Sequence, residues 1–372
     1  DAVAAMTNLA DEHPEVAQRL SDAENLIVVT GADGLTVEGS RALAQAAANF
    51  LIETDHAGKV NSGLLATLPG PNGMGLHYMG YTPEAMQDIV AKPPKVLILL
   101  QADVLDDDPS ANAWLSQVET VITLGLFPER TVYASDFVLP VQSFAERDGT
   151  FTNGERRVQR FYTAQGPMGD AIPAWKAIAA LREQLGQGRA KVSAAAVMLD
   201  ITKNLDVFDG MRYKALGQTE RQFPDVGGDD KYYGGTAYQN KGGLGLQIPL
   251  SEGAAVADVS ADTVEVADGQ DLIVPSVRLY DRHMLFKPTT LVHPRVAEPF
   301  VLLNPADADA ISVSDGDTVE ISYGEVSVRV AARVSDETAA GAAVLPRYLT
   351  ETPTPMVPTA GRIVKVNEPV GV

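Results

Sequence analysis

Short apolar runs that each lead into a helical pattern are the feature of this sequence that most restricts its fold. The runs stand at residues 26–30, 95–100, 120–125 and 137–141. A continuous apolar run of this length is typical of a strand that is buried on both faces, as in a parallel sheet covered by helices. An alanine-rich helical pattern over residues 37–52 follows the first run. The sequence therefore predicts a doubly wound, parallel α/β sheet over residues 25–190.

Two glycine-containing stretches in this part allow more than one interpretation. Gly31 and Gly34 follow the first apolar run and would let a phosphate approach the next helix, but the full G-x-G-x-x-G pattern is absent, so ordinary turn glycines remain an alternative. Residues 61–80 are glycine-rich and are predicted to form a long loop without a regular element. That loop is either functional or an ordinary surface connection.

The last hundred residues have a different pattern, with short alternating strands separated by D-G, Y-G and A-G turns. This pattern predicts a small β-barrel, in which Val319 and Ile321 face inward and Asp307 caps a short helix. Residues 217–250 are rich in Gly, Asp and Tyr and predict an extended linker. The predicted domains are an α/β domain over residues 1–190, a helix plus linker over 191–275, and the barrel over 276–372.

Composition excludes several functions. The chain has 372 residues with 29 basic and 49 acidic side chains, a net charge of -20 that argues against nucleic acid as a direct partner. It has no cysteine, and its 5 histidines are scattered, so we expect no metal site, no iron–sulfur cluster and no redox centre in this chain. No apolar run reaches the roughly 18 residues of a spanning helix, which predicts no direct membrane insertion and a cytoplasmic location. A chain that begins at Asp1 is expected to be a piece of a longer polypeptide.

A polar, turn-rich stretch at residues 143–161, SFAERDGTFTNGERRVQRF, follows the fourth apolar run. Its Asp-Gly and Asn-Gly dipeptides predict two tight turns in left-handed backbone conformations. The charged cluster Glu155, Arg156, Arg157 and Arg160 comes next. We expect the first three of these residues to pair with one another or with neighbouring acids, because a guanidinium group binds a carboxylate as readily as a phosphate.

The amino-acid patterns of two segments resemble those of a known family. The pattern P-x-x-S-F-A-E-x-D-G-T-F-T-N-x-E-R-R-V-Q is similar to the signature of the molybdopterin oxidoreductase superfamily, and N-P-A-D-A…V-S-D-G-D-T-V-E-I resembles its C-terminal dinucleotide-binding barrel. The N-G-E-R-R-V-Q form looks most like the large iron–sulfur subunit of bacterial NADH-quinone oxidoreductase, respiratory complex I. Formate dehydrogenase large subunits carry a similar segment and are the alternative.

The resemblance implies a molybdopterin oxidoreductase-like fold, an α/β domain followed by the small barrel. It implies a structural, non-catalytic part of complex I, an enzyme of electron transport that passes electrons from NADH to quinone in the respiratory chain. The implied partners are the other subunits of the peripheral arm and a cysteine-rich N-terminal region that carries the iron–sulfur clusters. The implied location is the cytoplasmic side of the inner membrane, within a membrane-associated complex.

In this interpretation the chain binds no cofactor, and its basic residues are too few to attract a pterin diphosphate. The alternative is the pterin-binding part of a molybdenum or tungsten formate dehydrogenase-like oxidoreductase, with molybdopterin guanine dinucleotide as its cofactor. The resemblance marks a set of vestigial pterin-site candidates, which are Asn153, Arg156, Arg157, Asn304 and Asp307. The sequence supports no catalytic residue and no metal ligand.

Overall fold

The computed structural model describes residues 2–59, 61–67, 70–108, 110–216, 245–249, 253, 255–260 and 264–366. Its helices are α1 (Ala2–Thr7), α2 (Leu9–Glu12), α3 (Pro14–Ser21), α4 (Val37–Glu53), α5 (Gly73–Tyr78), α6 (Pro83–Ala91), α7 (Val104–Asp107), α8 (Ala111–Leu115), α9 (Arg130–Tyr133), α10 (Ala174–Gln184), α11 (Ala194–Asn204), α12 (Tyr213–Leu216) and α13 (Pro305–Ala310). Single 3-10 turns lie at Phe144–Glu146, Asp206–Phe208 and His293–Arg295. Within these described ranges, no helix combines the length and the apolar character that a membrane crossing requires.

The predicted strands of the α/β part all form, and their pairing is parallel. The strands of this part are β1 (Ile27–Thr30), β2 (Gly63–Ala66), β3 (Val96–Leu100), β4 (Thr120–Gly125) and β5 (Phe137–Pro140), of which β2 was not predicted. They form two sheets, β1-β2 and β3-β4-β5, where a single sheet was expected. The prediction of a long structureless loop over residues 61–80 is wrong, because this stretch supplies both β2 and α5. Strand β2 pairs with β1 over four residues, from Ile27↔Gly63 to Thr30↔Ala66.

The β3-β4-β5 sheet buries its two faces unequally. Leu99 and Val121 pack against Trp114 and Leu115 of α8 in one cluster. On the opposite face, α10 covers Leu124 through Ala174 and Ala177. The alternate residues of β3 on that second face, Val96, Ile98 and Leu100, remain 55%, 39% and 47% exposed. Parallel sheets are usually covered on both faces, so this apolar edge is an unusual feature of the chain.

A small antiparallel sheet follows the parallel strands in the chain. It consists of β6 (Gly149–Thr152), β7 (Arg157–Phe161) and β8 (Leu246–Gln247). Val158 of β7 is fully buried in a cluster with Met198 of α11 and Phe208. The sheet is therefore fixed to the helices that follow it. The predicted linker over residues 217–250 falls mainly on residues 217–244 and 250, which lie outside the described ranges.

The C-terminal region is a closed barrel, as predicted. Its strands are β9 (Asp271–Ser276), β10 (Phe300–Leu303), β11 (Thr318–Tyr323), β12 (Val326–Val334), β13 (Ala342–Pro346) and β14 (Thr359–Lys365), in the spatial order β10-β12-β11-β14-β9-β13. Val319 and Ile321 are fully buried in its core, in agreement with the alternation predicted for β11. Strand β9 lies almost wholly within the segment predicted as linker. It completes the barrel by pairing with β13 and β14.

Candidate functional site

The signature stretch begins with a glutamate whose two carboxylate oxygens both accept hydrogen bonds. Ser143 and Glu146 form a capping box, in which the Ser143 amide donates to Glu146 Oε2 at 2.8 Å. The other carboxylate oxygen, Oε1, accepts from the Met168 amide at 2.7 Å. These bonds, with the Ser143 amide first, lower the pKa of Glu146 below its usual value. The carboxylate thereby ties residues 143–146 to residue 168.

The turn between β6 and β7 is organised by Asn153. Its Oδ1 accepts from the amides of Glu155 and Arg157 at 3.0 and 2.9 Å. The left-handed residue of this turn is Arg156, at φ 62°, and neither Gly149 nor Gly154 adopts a positive φ. The glycine-based turns predicted from the two dipeptides are therefore wrong. Gly149 is required for space instead, because a Cβ there would meet the Phe161 ring at 2.7 Å.

Among the described residues, the ion pairs predicted for the charged cluster are absent. Among the described residues, Glu155, Arg156 and Arg157 make no ion pair within 4.0 Å. Arg160 takes that role, because its Nη2 lies 3.1 Å from Asp148 Oδ2 and its guanidinium carbon lies 4.3 Å from the Tyr162 ring centroid. The buried Arg156 Nε has no hydrogen-bond partner. Of the candidates in this hairpin, Arg156 is thus the one with an unsatisfied buried donor.

The two barrel candidates have local structural partners. Asn304, and not Asp307, caps helix α13, because its Oδ1 accepts from the Ala306 amide at 2.9 Å. Its Nδ2 also donates to the Thr338 carbonyl at 2.7 Å. Asp307 Oδ2 accepts from the Gly341 amide at 2.7 Å. Asn153, Arg156 and Arg157 belong to the β6–β7 hairpin, whereas Asn304 and Asp307 lie at α13 beside the barrel strands. No described hydrogen bond or ion pair joins the two groups.

A different polar region joins the α/β part to the barrel, and we call it the seam. It consists of residues 103–107 and 129–131 on one side and residues 347–351 on the other. The Tyr348 hydroxyl donates to Asp107 Oδ1 at 2.6 Å, and Arg347 Nη2 donates to the Asp107 carbonyl at 2.6 Å. Arg130 Nη2 donates to the Glu351 carbonyl. Helices α7 and α9 therefore hold the barrel through hydrogen bonds to three of its residues.

A cavity of about 190 Å³ lies beside the seam. Its lining residues are Asp106, Arg282, Lys287, His293, Val296, Tyr348, Thr350 and Glu351. Among the described residues, neither Arg282 nor Lys287 has an acidic partner within 4.0 Å. Two cationic groups and an imidazole therefore meet at one cavity, together with the carboxylates of Asp106 and Glu351. Such a cavity has donors for an anionic group.

The cationic side chains come from one segment, residues 277–297, which we call the basic segment. It contains Arg278, Arg282, Lys287, Arg295, His283 and His293, against Asp281 alone. In a chain with a net charge of -20, this segment is a strong local reversal of charge. A count of charges in a sliding window would have found it. The acidic total of the chain hides this segment.

The acidic side of the seam contains a buried carboxylate, Glu129, which is 9% exposed. Its Oε1 has no hydrogen-bond partner. Burial, followed by the nearby charges of Asp103, Asp106 and Asp107, raises the pKa of Glu129 to about 7. Nothing in the local sequence signals this, because the contacts between residues 103–131 and residues 282–351 depend on the tertiary fold.

Comparison with known proteins identifies the family. Residues 3–184 match the Molybdopterin oxidoreductase family, and residues 283–368 match the Molydopterin dinucleotide binding domain. Together the two matches cover most of the chain, and their order agrees with the α/β part followed by the barrel. The chain belongs to the molybdopterin oxidoreductase family.

Among curated relatives, the F420-dependent formate dehydrogenase 2 subunit alpha of Methanococcus maripaludis is 28% identical over 271 residues, covering 68% of this chain and 38% of that relative. The F420-dependent formate dehydrogenase subunit alpha of Methanocaldococcus jannaschii is 27% identical over 286 residues, covering 73% and 41%. Acetylene hydratase from Pelobacter acetylenicus, a solved structure, has a TM-score of 0.47 at 16% identity, covering 71% of this chain and 39% of that one. The chain thus spans about two fifths of the length of these curated relatives.

The residues present fit one part of a pterin dinucleotide. The cavity of about 190 Å³ is smaller than the roughly 300–1,000 Å³ that encloses a whole small ligand, but Arg282, Lys287 and His293 supply donors suited to a diphosphate. No group of His, Asp or Glu in the described part of the chain is arranged to hold a metal ion. The fit is therefore to the phosphate portion of the cofactor.

Proposed function

We propose that this chain is the pterin-binding part of a molybdenum or tungsten formate dehydrogenase-like oxidoreductase. The relatives whose names support this are alpha subunits of F420-dependent formate dehydrogenases, which match the chain over more than two thirds of its length. In this proposal the chain holds a molybdopterin guanine dinucleotide, and the cofactor supplies the redox chemistry.

The basic segment is the observation that carries the proposal. It overlaps the start of the region that matches the dinucleotide binding domain, at residue 283. Arg282 and Lys287 line the cavity and lack acidic partners among the described residues. A charged side chain left unpaired in an otherwise acidic chain is suited to an anionic ligand, because an Arg or Lys bond to phosphate is about twice as strong as a neutral hydrogen bond.

The structural complex I interpretation is a second candidate, and the N-G-E-R-R-V-Q wording at residues 153–159 favours it. Three of the candidates, Asn153, Asn304 and Asp307, use their side chains to accept hydrogen bonds from the chain's own backbone. This suits a chain in which that part of the pterin site is vestigial. In that case the partners would be peripheral-arm subunits at the cytoplasmic side of the inner membrane. The names of the relatives support the formate dehydrogenase proposal better.

In either case we propose that the metal or cluster ligands come from outside the residues described, from a cysteine-rich iron–sulfur region. The absence of cysteine from the chain motivates this.

The test is formate-driven reduction of a viologen dye by the native protein that contains this chain, with molybdenum and tungsten assayed in the same sample. The double variant Arg282→Ala, Lys287→Ala should lose at least about tenfold in activity per protein, together with bound pterin, because two charge-assisted contacts are removed. Arg189→Ala is the matched control, since Arg189 is exposed and lies outside the cavity, and it should behave as wild type.

Two results would count against the proposal. One is a wild-type protein without molybdenum, tungsten or formate-driven reduction, which is the outcome expected for a structural part of complex I. The other is a double variant that keeps both its pterin and its activity.

A further inference from the structure

Exposed leucines lie between the charged side chains of the basic segment. Leu279 and Leu291 are 80% and 87% exposed, and Leu285 is more than half exposed. Burying such a side chain would contribute about 1.5–3 kcal/mol, which these leucines forgo in water. Single exposed leucines are common on protein surfaces, whereas several in one short segment are typical of an interaction site.

Contacts within the segment bring its two ends together. The Arg295 guanidinium carbon lies 5.5 Å from the centroid of the Tyr280 ring, which directly follows Leu279. The Arg295 amide also donates to the Val292 carbonyl at 2.8 Å, and this bond closes a turn directly after Leu291. The two most exposed leucines therefore flank one contact. We refer to Arg278, Leu279, Leu291 and Arg295 together as the outer surface.

The C-terminal region holds this segment in a fixed position. The Arg282 amide donates to the Tyr348 carbonyl at 2.8 Å, and the His283 ring packs edge-to-face on the Tyr348 ring with the centroids 4.7 Å apart. Asp281 is buried, and its Oδ1 accepts from the His283 amide at 2.9 Å. A backbone that is already anchored loses little conformational entropy when a partner binds, which favours binding.

The cations of the outer surface contact aromatic rings and make no ion pair in the part of the chain that the structure describes. The Arg278 guanidinium carbon lies 5.8 Å from the centroid of the Phe300 ring, and Arg295 lies over Tyr280. Neither arginine has a carboxylate within 4.0 Å among these residues. A guanidinium group over a ring keeps its charge and its donors, so it can still bind a carboxylate.

We propose that the outer surface docks an acidic segment of a separate partner subunit. Apolar side chains of that segment cover Leu279 and Leu291. Its carboxylates pair with Arg278 and Arg295. The basic segment has four Arg and Lys side chains against Asp281 alone, whereas the chain as a whole carries a net charge of -20. Charge complementarity therefore favours this segment as the docking site for an acidic partner.

An extended anionic surface, such as a bilayer or a nucleic acid, suits the outer surface less well. It would approach the acidic remainder of the chain together with the basic segment, and Asp106 and Glu351 already lie at the cavity beside Arg282 and Lys287. Like charges within a Debye length, about 8 Å at physiological ionic strength, would oppose its binding. A polypeptide segment contacts the basic surface alone and avoids this repulsion.

The mixture of leucine and arginine also favours a separate subunit over a further domain of the same polypeptide. Obligate interfaces resemble an apolar core, whereas reversible ones combine a small apolar centre with charged side chains at the rim. None of the four residues of the outer surface lines the cavity, so this surface is separate from the proposed cofactor contact.

Photo-crosslinking in the native protein that contains this chain identifies the occupant directly. A benzophenone amino acid replaces Leu279 or Leu291 in turn, and the same replacement at Val192, which is 91% exposed, is the matched control. Mass spectrometry then identifies the linked peptide. Both leucine positions should link to a separate subunit, through a segment in which Asp and Glu outnumber Lys and Arg. The control position should not link to that segment.

Charge dependence distinguishes this docking from a purely apolar contact. The crosslink yield should fall at least about threefold when the NaCl concentration rises from about 50 mM to about 500 mM, because salt screens the ion pairs. The double variant Arg278→Glu, Arg295→Glu should lower the yield by at least about threefold at low salt, because two attractions become repulsions. Arg189→Glu, Arg212→Glu makes the same change in net charge at exposed arginines outside the basic segment and should leave the yield unchanged.

Circular dichroism checks that each variant is folded, and the salt dependence tests the proposal without any charge variant. A crosslink to lipid, to nucleic acid or to another part of the same polypeptide would overturn the proposal. So would the absence of a crosslink at both leucine positions, or a yield that does not respond to salt or to charge reversal in a folded variant.

Discussion

Most of the candidate residues that the resemblance marks have side chains that hydrogen-bond to nearby backbone groups. Asn153 closes the β6–β7 turn, Asn304 caps α13, and Asp307 accepts from the Gly341 amide. Each bond satisfies a backbone donor, and this role is the same with or without a cofactor. Arg156 differs, since it combines a positive φ with a buried Nε that has no partner.

Glu146 gives a pH prediction at this scale. Because its pKa is lowered in the folded state, its contribution to stability is present above the ordinary value of 4.5 and is lost as the pH falls through the lowered pKa. Glu146→Gln should reduce the thermal unfolding midpoint by a few degrees at pH 7, and the difference from wild type should shrink toward pH 3. Thermal unfolding followed by circular dichroism at both pH values checks this.

Glu155→Gln is the control for that measurement, because Glu155 is exposed on the same hairpin. A difference between wild type and Glu146→Gln that is the same at pH 3 and pH 7 would contradict the assignment.

The strands of the α/β part show which structural information is local. The apolar runs that form β1, β3, β4 and β5 could be predicted as strands from the sequence, because a strand buried on both faces has a continuous apolar sequence. Strand β2 did not, since its residues Gly63–Ala66 lie in a glycine-rich stretch and are held by pairing with β1. The division into two sheets also could not be predicted, because strand pairing depends on contacts between distant residues.

The candidate site was also predicted only in part from the sequence. The signature hairpin was recognisable from residues 143–161, but its bonds were not, and the ion pair formed at Arg160 in place of Arg156 and Arg157. The seam was missed entirely, because it joins Asp107 to Tyr348 across more than two hundred positions of sequence. The basic segment alone carried a signal that a charge count would have detected.

Strand β3 offers a test of the two faces of its sheet. Leu99 is 8% exposed and packs against α8, whereas Ile98 on the other face is 39% exposed. Leu99→Ala should lower the free energy of unfolding by about 2–5 kcal/mol, and Ile98→Ala by roughly 1 kcal/mol or less. Urea unfolding of the two variants makes the comparison.

Equal losses at Leu99 and Ile98 would show that the second face of this sheet is also covered. That result would contradict the exposure described for β3.

At the scale of the whole molecule, an acidic chain brings a parallel α/β part and a closed barrel together at a polar seam with a basic cavity beside it. This arrangement places the basic segment at the start of the region that matches the dinucleotide binding domain. The proposed cofactor contact lies in this segment, at Arg282 and Lys287.

The pterin content of the protein tests the central claim most directly. The native protein that contains this chain should be denatured, its pterin oxidised to a fluorescent derivative, and its guanine nucleotide quantified against protein concentration. The proposal predicts stoichiometric pterin and guanine nucleotide in the wild type. A folded protein that has its partner subunits bound, yet contains neither pterin nor guanine nucleotide, would contradict the proposal.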